Sequence, residues 1–84
     1  MTNLDKIKVP EDIHLNIDET YDFIHKWLPP RYSTEVNKLL DEEDRVDNAY
    51  VRQVKKERIN NPKIYTALYR IALFHKMQID KISS

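Results

Sequence analysis

The 84-residue sequence contains no glycine and no cysteine, and only four prolines and one tryptophan. The missing glycine excludes a P-loop and a Rossmann fingerprint, because both need a residue without a Cβ where backbone approaches phosphate. It also argues against tight β-hairpins, whose primed turns favour glycine. Left-handed backbone positions are then expected on Asn or Asp, which tolerate them next best. An all-helical chain needs the fewest such positions. The missing cysteine excludes a disulfide scaffold, a thiolate metal site and a Cys nucleophile, and it fits a reducing compartment. Apolar runs are only a few residues long, so no segment is expected to span a membrane, and residues 1–9 lack the apolar core of a signal peptide. The expectation is a soluble, cytoplasmic protein.

Hydrophobic residues make up 40% of the chain and charged residues 33%. That is polar for a globular domain, yet too rich in Ile, Leu, Tyr and Val for a wholly disordered one. The length leaves room for one domain with a modest core.

Formal charge sums to zero but is unevenly spread. Residues 1–44 carry five basic side chains against eleven acids, a balance of −6. Residues 45–84 carry nine basic side chains against three acids, a balance of +6. Such asymmetry points either to a polyanion-facing half or to a dipolar surface that folds onto itself.

Residues 1–16 have no sustained period, are interrupted by Pro10, and read as an N-terminal arm docked by Ile7, Val9, Ile13 and Leu15. Residues 17–84 read as one domain. Asp18 is the expected N-cap of a first helix, with Ile17, Tyr21, Ile24 and Leu28 on one face and Trp27 beside them. Pro29-Pro30 stops it. A short second helix over about 31–40 has Tyr32, Val36, Leu39 and Leu40 inward. The acids at 41–44 form a solvated turn. A third helix over about 47–57 starts at the cap Asp47 and buries Tyr50, Val51 and Val54. Asn60 is expected left-handed, Asn61 as a cap, and Pro62 at the first position of the last helix. That helix reaches about residue 82, with Ile64, Leu68, Ile71, His75, Ile79 and Ile82 at threes and fours, flanked by Ala67, Tyr69, Ala72, Leu73 and Phe74. At 1.5 Å per residue it is roughly 30 Å long, more than three short helices can cover. The expected fold is therefore all-α, four helices with a long C-terminal one.

Two short helices joined by a turn, the second polar and basic on one side, is the helix-turn-helix pattern, here over about 31–57. In such a motif the second helix enters the major groove, where Arg, Lys, Asn and Gln match guanine and adenine edges. Asn48, Ala49, Arg52, Gln53 and Lys56 have that chemistry and spacing. Arg45, Lys55, Arg58, Asn60 and Lys63 are placed to meet phosphates.

The stretch 28–72 resembles the lambda-repressor/Cro-type (Xre-like) helix-turn-helix family. The likeness is carried by Ser33-Thr34-Glu35-Val36, by residues 46–54 (VDNAYVRQV), and by Arg58-Ile59-Asn60-Asn61-Pro62 ahead of the apolar helix through Leu68, Ile71 and Ala72. It implies that Asp47, Asn48, Ala49, Arg52, Gln53 and Lys56 enter the major groove, and that Arg58, Asn60 and Asn61 touch the DNA backbone. Three features depart from the family pattern. Acids 41–44 stand where a Gly-containing tight turn is usual, Asn37 replaces a small residue, and Glu57 sits where Gly is frequent.

The function expected is sequence-specific binding of double-stranded DNA, by a transcriptional regulator or an accessory factor of a phage or other mobile element, in the cytoplasm with the nucleoid. About five phosphate contacts imply a log–log salt slope near −4 to −5. Two half-sites need a homodimer, for which Tyr69, Leu73, Phe74, Met77 and Ile79 are the candidate contacts. The other reading of the same residues is a protein-interaction module that keeps the scaffold without binding DNA. RNA binding is weaker still, since no RNA-module signature is present.

Trp27 and the five tyrosines fall mostly on apolar helix positions and read as core or rim rather than a base-stacking platform. His14, His25 and His75 lack HxxxH or HExxH spacing, and acids 41–44 lack the alternating oxygens and glycine of an EF-hand, so no metal is expected. Neither a catalytic constellation nor a cofactor or small-molecule site is expected.

Overall fold

The computed structural model describes residues 9–83, so Ile7 and the rest of 1–8 lie outside the described residues. Four helices follow one another: α1 (Ile17–Trp27), α2 (Tyr32–Leu39), α3 (Asn48–Glu57) and α4 (Pro62–Ser83). A 3₁₀ turn, Glu11–His14, precedes α1, and another, Glu42–Asp44, lies between α2 and α3. No strand occurs among the described residues. The fold is a small all-α domain with a long last helix.

Helix α4 is the spine. α1, α2 and α3 all pack on it, and α2 also packs on α3. The core is Tyr21 and Ile24 of α1, Val36 and Leu40 at α2, Val51 and Val54 of α3, and Ile64, Tyr65, Ala67, Leu68, Ile71 and Ala72 of α4. These are the positions that the threes-and-fours spacing turns inward, apart from Tyr65. Each fully buried aliphatic contributes roughly 1.5–3 kcal/mol. Tyr65 is buried because it has partners for both its ring and its hydroxyl: it stands edge-on to Tyr21 and shares a hydrogen bond with His14 Nδ1.

The segment before α1 is part of this packed unit from Val9 onward. Ile13 is buried, and the Thr20 hydroxyl donates to the carbonyls of Ile13 (2.8 Å) and Asn16 (2.9 Å). Leu15, in contrast, is exposed.

Helix ends differ from the sequence expectation in three places. Asn16, not Asp18, caps α1, accepting from the Glu19 N–H at 3.1 Å, which leaves Asp18 in the first turn. Asp47 precedes α3 as expected, but its backbone carbonyl, not its side chain, meets the N–H groups of Tyr50 and Val51. The left-handed positions fall on Arg31 (φ 62°) and Arg58 (φ 51°) rather than on Asn60 or any Asp. At Arg58 the geometry closes α3: the N–H groups of Arg58 and Ile59 both donate to the Val54 carbonyl, the pattern of a helix terminated by one left-handed residue. Asn61 does cap α4, its Oδ1 facing the Ile64 N–H, with Pro62 at the first helical position.

α4 has 22 residues and outruns its neighbours. Ile64 to Ala72 is buried on the inner side, whereas residues 77–82 are all exposed. Ile79 and Ile82 continue the apolar spacing but have nothing from α1–α3 beside them that buries them; they are 37% and 85% exposed.

Candidate nucleic-acid interface

Helix α3 buries Val51 and Val54 and turns its other side to solvent. Ala49, Arg52, Gln53 and Lys56 are spaced i, i+3, i+4 and i+7, so they form one stripe, and all four are exposed. Arg52, Gln53 and Lys56 make no hydrogen bond or ion pair among the described residues. Two cations and an amide therefore stand outward on a rigid helix, with their donors free.

Both ends of α3 are fastened by side chains. At the N-terminal end, Asn37 of α2 treats Val46 as a strand would treat its neighbour. Its Oδ1 accepts from the Val46 N–H at 3.0 Å, and its Nδ2 donates to the Val46 carbonyl at 2.7 Å. The same Nδ2 donates to Asn48 Oδ1 (3.0 Å), and Asn48 Nδ2 reaches Thr34 Oγ1 at 3.5 Å. Arg45 Nε donates to the Asn37 carbonyl at 3.0 Å. This network does the work of a tight turn across a connection too long and too acidic to be one.

At the C-terminal end, α1 supplies the fastening. His25 Nε2–H donates to the Lys55 carbonyl (2.9 Å), one of the last carbonyls of α3 that no helical N–H can satisfy. The Tyr21 hydroxyl donates to the Ile59 carbonyl at 2.7 Å. Arg58 Nη2 meets Asp22 Oδ1 at 2.7 Å, while Nη1 meets the Asp18 carbonyl at 3.2 Å and its Oδ1 at 3.5 Å. Asp18/Asp22 and Tyr21/His25 are both i, i+4 pairs, so one side of α1 grips the end of α3. The Asp22 hydrogen bond is the main cause of a raised Arg58 pKa. Burial, and the neighbouring Tyr65 hydroxyl after it, push the Tyr21 phenol well above its ordinary value.

The residues expected at the interface thus divide. Ala49, Arg52, Gln53 and Lys56 share the outward stripe. Asn48 is exposed, but its amide is spent on Asn37 and Thr34. Among the expected phosphate contacts, Arg45 keeps its terminal nitrogens unpartnered and Asn60 is exposed without a partner among the described residues. Lys55 lies over the Tyr32 ring, 5.1 Å from its centre. Asn61 is a cap. Arg58 is held by α1, and Lys63 is held by Asp44, whose two oxygens both lie 2.9 Å from Nζ. That bond, with Glu43 and Asp41 nearby, raises the Lys63 pKa. The opposite charges of the two halves therefore meet in part within the molecule.

Among the candidate dimer contacts, Tyr69 is stacked on Phe23 with ring centres 4.7 Å apart, so its face is taken by α1. Leu73 and Phe74 are half-buried, and Met77 and Ile79 are exposed. His75 Nδ1–H donates to the Trp27 carbonyl (2.8 Å), and Lys26 and Lys76 each place an ammonium on the Trp27 ring. Asp41, Glu43 and Asp44 bring carboxylate oxygens within 4.8 Å of one another, with Lys63 already on Asp44. No helix among the described residues is long and apolar enough to cross a membrane.

Sequence reading missed Asn37, Tyr21 and His25 as the residues that place α3. The i, i+4 spacing on α1 was visible, but its partners lie 30 and 38 residues away. Comparison with protein-family models, with curated proteins and with solved structures finds no match to the chain.

Proposed function

We propose that this protein binds double-stranded DNA, laying α3 in the major groove as a small transcriptional regulator or mobile-element accessory factor associated with the nucleoid. The observation that carries the reading is the unpartnered stripe of Arg52, Gln53 and Lys56 on a helix fastened at both ends. Evenly solvated helix faces need no such fastening, whereas base readout needs side chains held in a fixed register. The resemblance of residues 28–72 to Xre-like proteins supports the same reading. Phosphate contact falls to Arg45 and Asn60, which are available, and to Arg58 once released from α1.

A lone module reads few base pairs, so we assign the exposed distal part of α4, around Met77, Ile79 and Ile82, to pairing with a second copy. The patch is small against the roughly 1,000 Å² that a stable interface buries. Pairing is therefore expected on DNA rather than free in solution, read as mass against concentration with and without duplex.

The test is a gel shift on the gene's own upstream region at two salt concentrations. Arg52→Ala/Gln53→Ala/Lys56→Ala is expected to abolish the shift at an unchanged melting temperature, each base contact being worth about 1–3 kcal/mol. Unchanged binding by the triple variant favours the second reading, an interaction module without DNA binding. The internal neutralisation of Arg58 and Lys63 is the observation on that side.

A further inference from the structure

We infer that Asp18 and Asp22 are selectivity-determining residues: they withhold Arg58 from backbone phosphates and so suppress binding to arbitrary duplex. This rests on the DNA-binding reading above.

Arg58 stands in a left-handed conformation at the end of α3, and its guanidinium is drawn back onto α1. The two carboxylates that receive it are 87% and 68% exposed, so they fill no core space. Their four-residue spacing puts both on the same side of α1, where together with the Asp18 carbonyl they present three oxygens to one fork. A guanidinium fork recognises carboxylate and phosphate by the same paired geometry. The aspartates thus occupy the place a phosphate would take.

The consequence is differential. Binding to any duplex is driven by cations that displace condensed counterions. A cation already neutralised inside the protein adds nothing to that release. Arg52 and Lys56 carry no such partner and keep their full charge for a correctly placed groove. Selectivity is a difference between two affinities, and a repulsive element that lowers the wrong one widens it. The ion pair is exposed, hence weakly held and exchangeable when a well-fitted site brings a phosphate to it.

The experiment measures affinity for a short mixed-sequence duplex between roughly 50 and 200 mM salt, so no target sequence has to be known. Asp18→Asn/Asp22→Asn is expected to bind about tenfold more tightly at roughly 50 mM salt, with a log–log slope steeper by about 0.9, one phosphate contact more. Asparagine keeps a hydrogen-bond acceptor for Arg58, and a circular-dichroism melt checks folding. Asp22→Asn alone, which keeps Asp18 in the first turn of α1, gives the larger share of both changes and replaces the double variant if that melts early. In an Arg58→Ala background the same substitutions are expected to leave the slope unchanged. An unchanged slope in the intact background overturns the proposal. So does equal steepening without Arg58, which would mean general repulsion. If neither the parent nor the double variant binds duplex at any salt, the DNA-binding reading itself falls and this proposal with it, a result distinct from the other two.

Discussion

Asn37 shows how much one side chain decides here. Its amide supplies a donor and an acceptor in the geometry of a peptide group, and Val46 receives both. Asn37→Ala leaves the part-buried Val46 N–H and carbonyl without those partners, which is expected to cost about 1–3 kcal/mol, read as the midpoint shift in urea denaturation at constant slope. Asn37→Asp keeps the acceptor and loses the donor. Half or more of that loss is expected, with the pH-independent part reporting the missing bonds to Val46 and Asn48. In the sequence, Asn37 was legible only as a misfit, a polar residue where close helix packing wants a small one. What it bonds to could not be read, because a side-chain bond across nine residues leaves no periodic trace. The same holds for Arg58. Its left-handed backbone, which costs about 1 kcal/mol or more in a residue with a Cβ, closes α3 through the Arg58 and Ile59 N–H bonds to the Val54 carbonyl, while its guanidinium meets Asp18 and Asp22, 36 to 40 positions upstream. Asn60, the better left-handed residue by local preference, has no such partners and stays in the loop.

The four helices were legible because each buries a face: Tyr21 and Ile24, Val36 and Leu40, Val51 and Val54, and Ile64 through Ile71 mark the inner sides by spacing alone. Their ends were less so. Pro29-Pro30 and Asn61-Pro62 gave two boundaries directly, since a proline acts through its own ring. The start of α1 shifted to Asn16 because Asn16 and Asp18, two positions apart, could each cap, and the Thr20 hydroxyl, bonded to the Ile13 and Asn16 carbonyls, selects between them. The candidate stripe on α3 was legible for the same reason as the core, being its complement on the wheel. The phosphate set was not, because whether a lysine or arginine is free depends on which acids the fold brings to it. α4 carries the expectation of a helix too long for its neighbours into a measurable form. Its first half packs its inner side on α1, α2 and α3, while residues 77–82 of its last two turns are exposed beyond them, and a short helix without such packing is marginal in water. Amide hydrogen exchange is expected to be protected through residues 64–72 and faster by about two orders of magnitude or more over 77–82 in the free protein. Added duplex is expected to slow exchange over 77–82 if the second copy packs there, and uniform protection along α4 without duplex would contradict the overhang.

For the molecule as a whole, no disulfide and no glycine hinge constrain the chain, and stability rests on one small core in which tyrosines take an unusual share. Tyr21, Tyr32, Tyr65 and Tyr69 all have raised pKa values, with burial the largest cause in each. Folding therefore disfavours ionisation of these four phenols relative to the unfolded chain. The sign follows from linkage: a group whose folded pKa exceeds its unfolded value contributes stability that is complete below the unfolded pKa and is lost as pH rises toward the folded one. The unfolded value for tyrosine is about 10. Lys63 and Arg58, also raised by their carboxylate partners, add loss in the same direction at still higher pH. Stability is thus expected to be insensitive to these groups up to about pH 9 and to fall progressively above about pH 10. The measurement is a series of urea titrations across that range, with phenolate absorbance followed in parallel. Phenolate absorbance from these four tyrosines is expected to rise together with loss of helix. Tyr21→Phe removes the most strongly shifted phenol and its bond to the Ile59 carbonyl together. It is expected to lower stability at neutral pH and to make the alkaline decline shallower. A variant that unfolds with the parent's alkaline slope would show that the buried phenols are not what limits this fold at high pH.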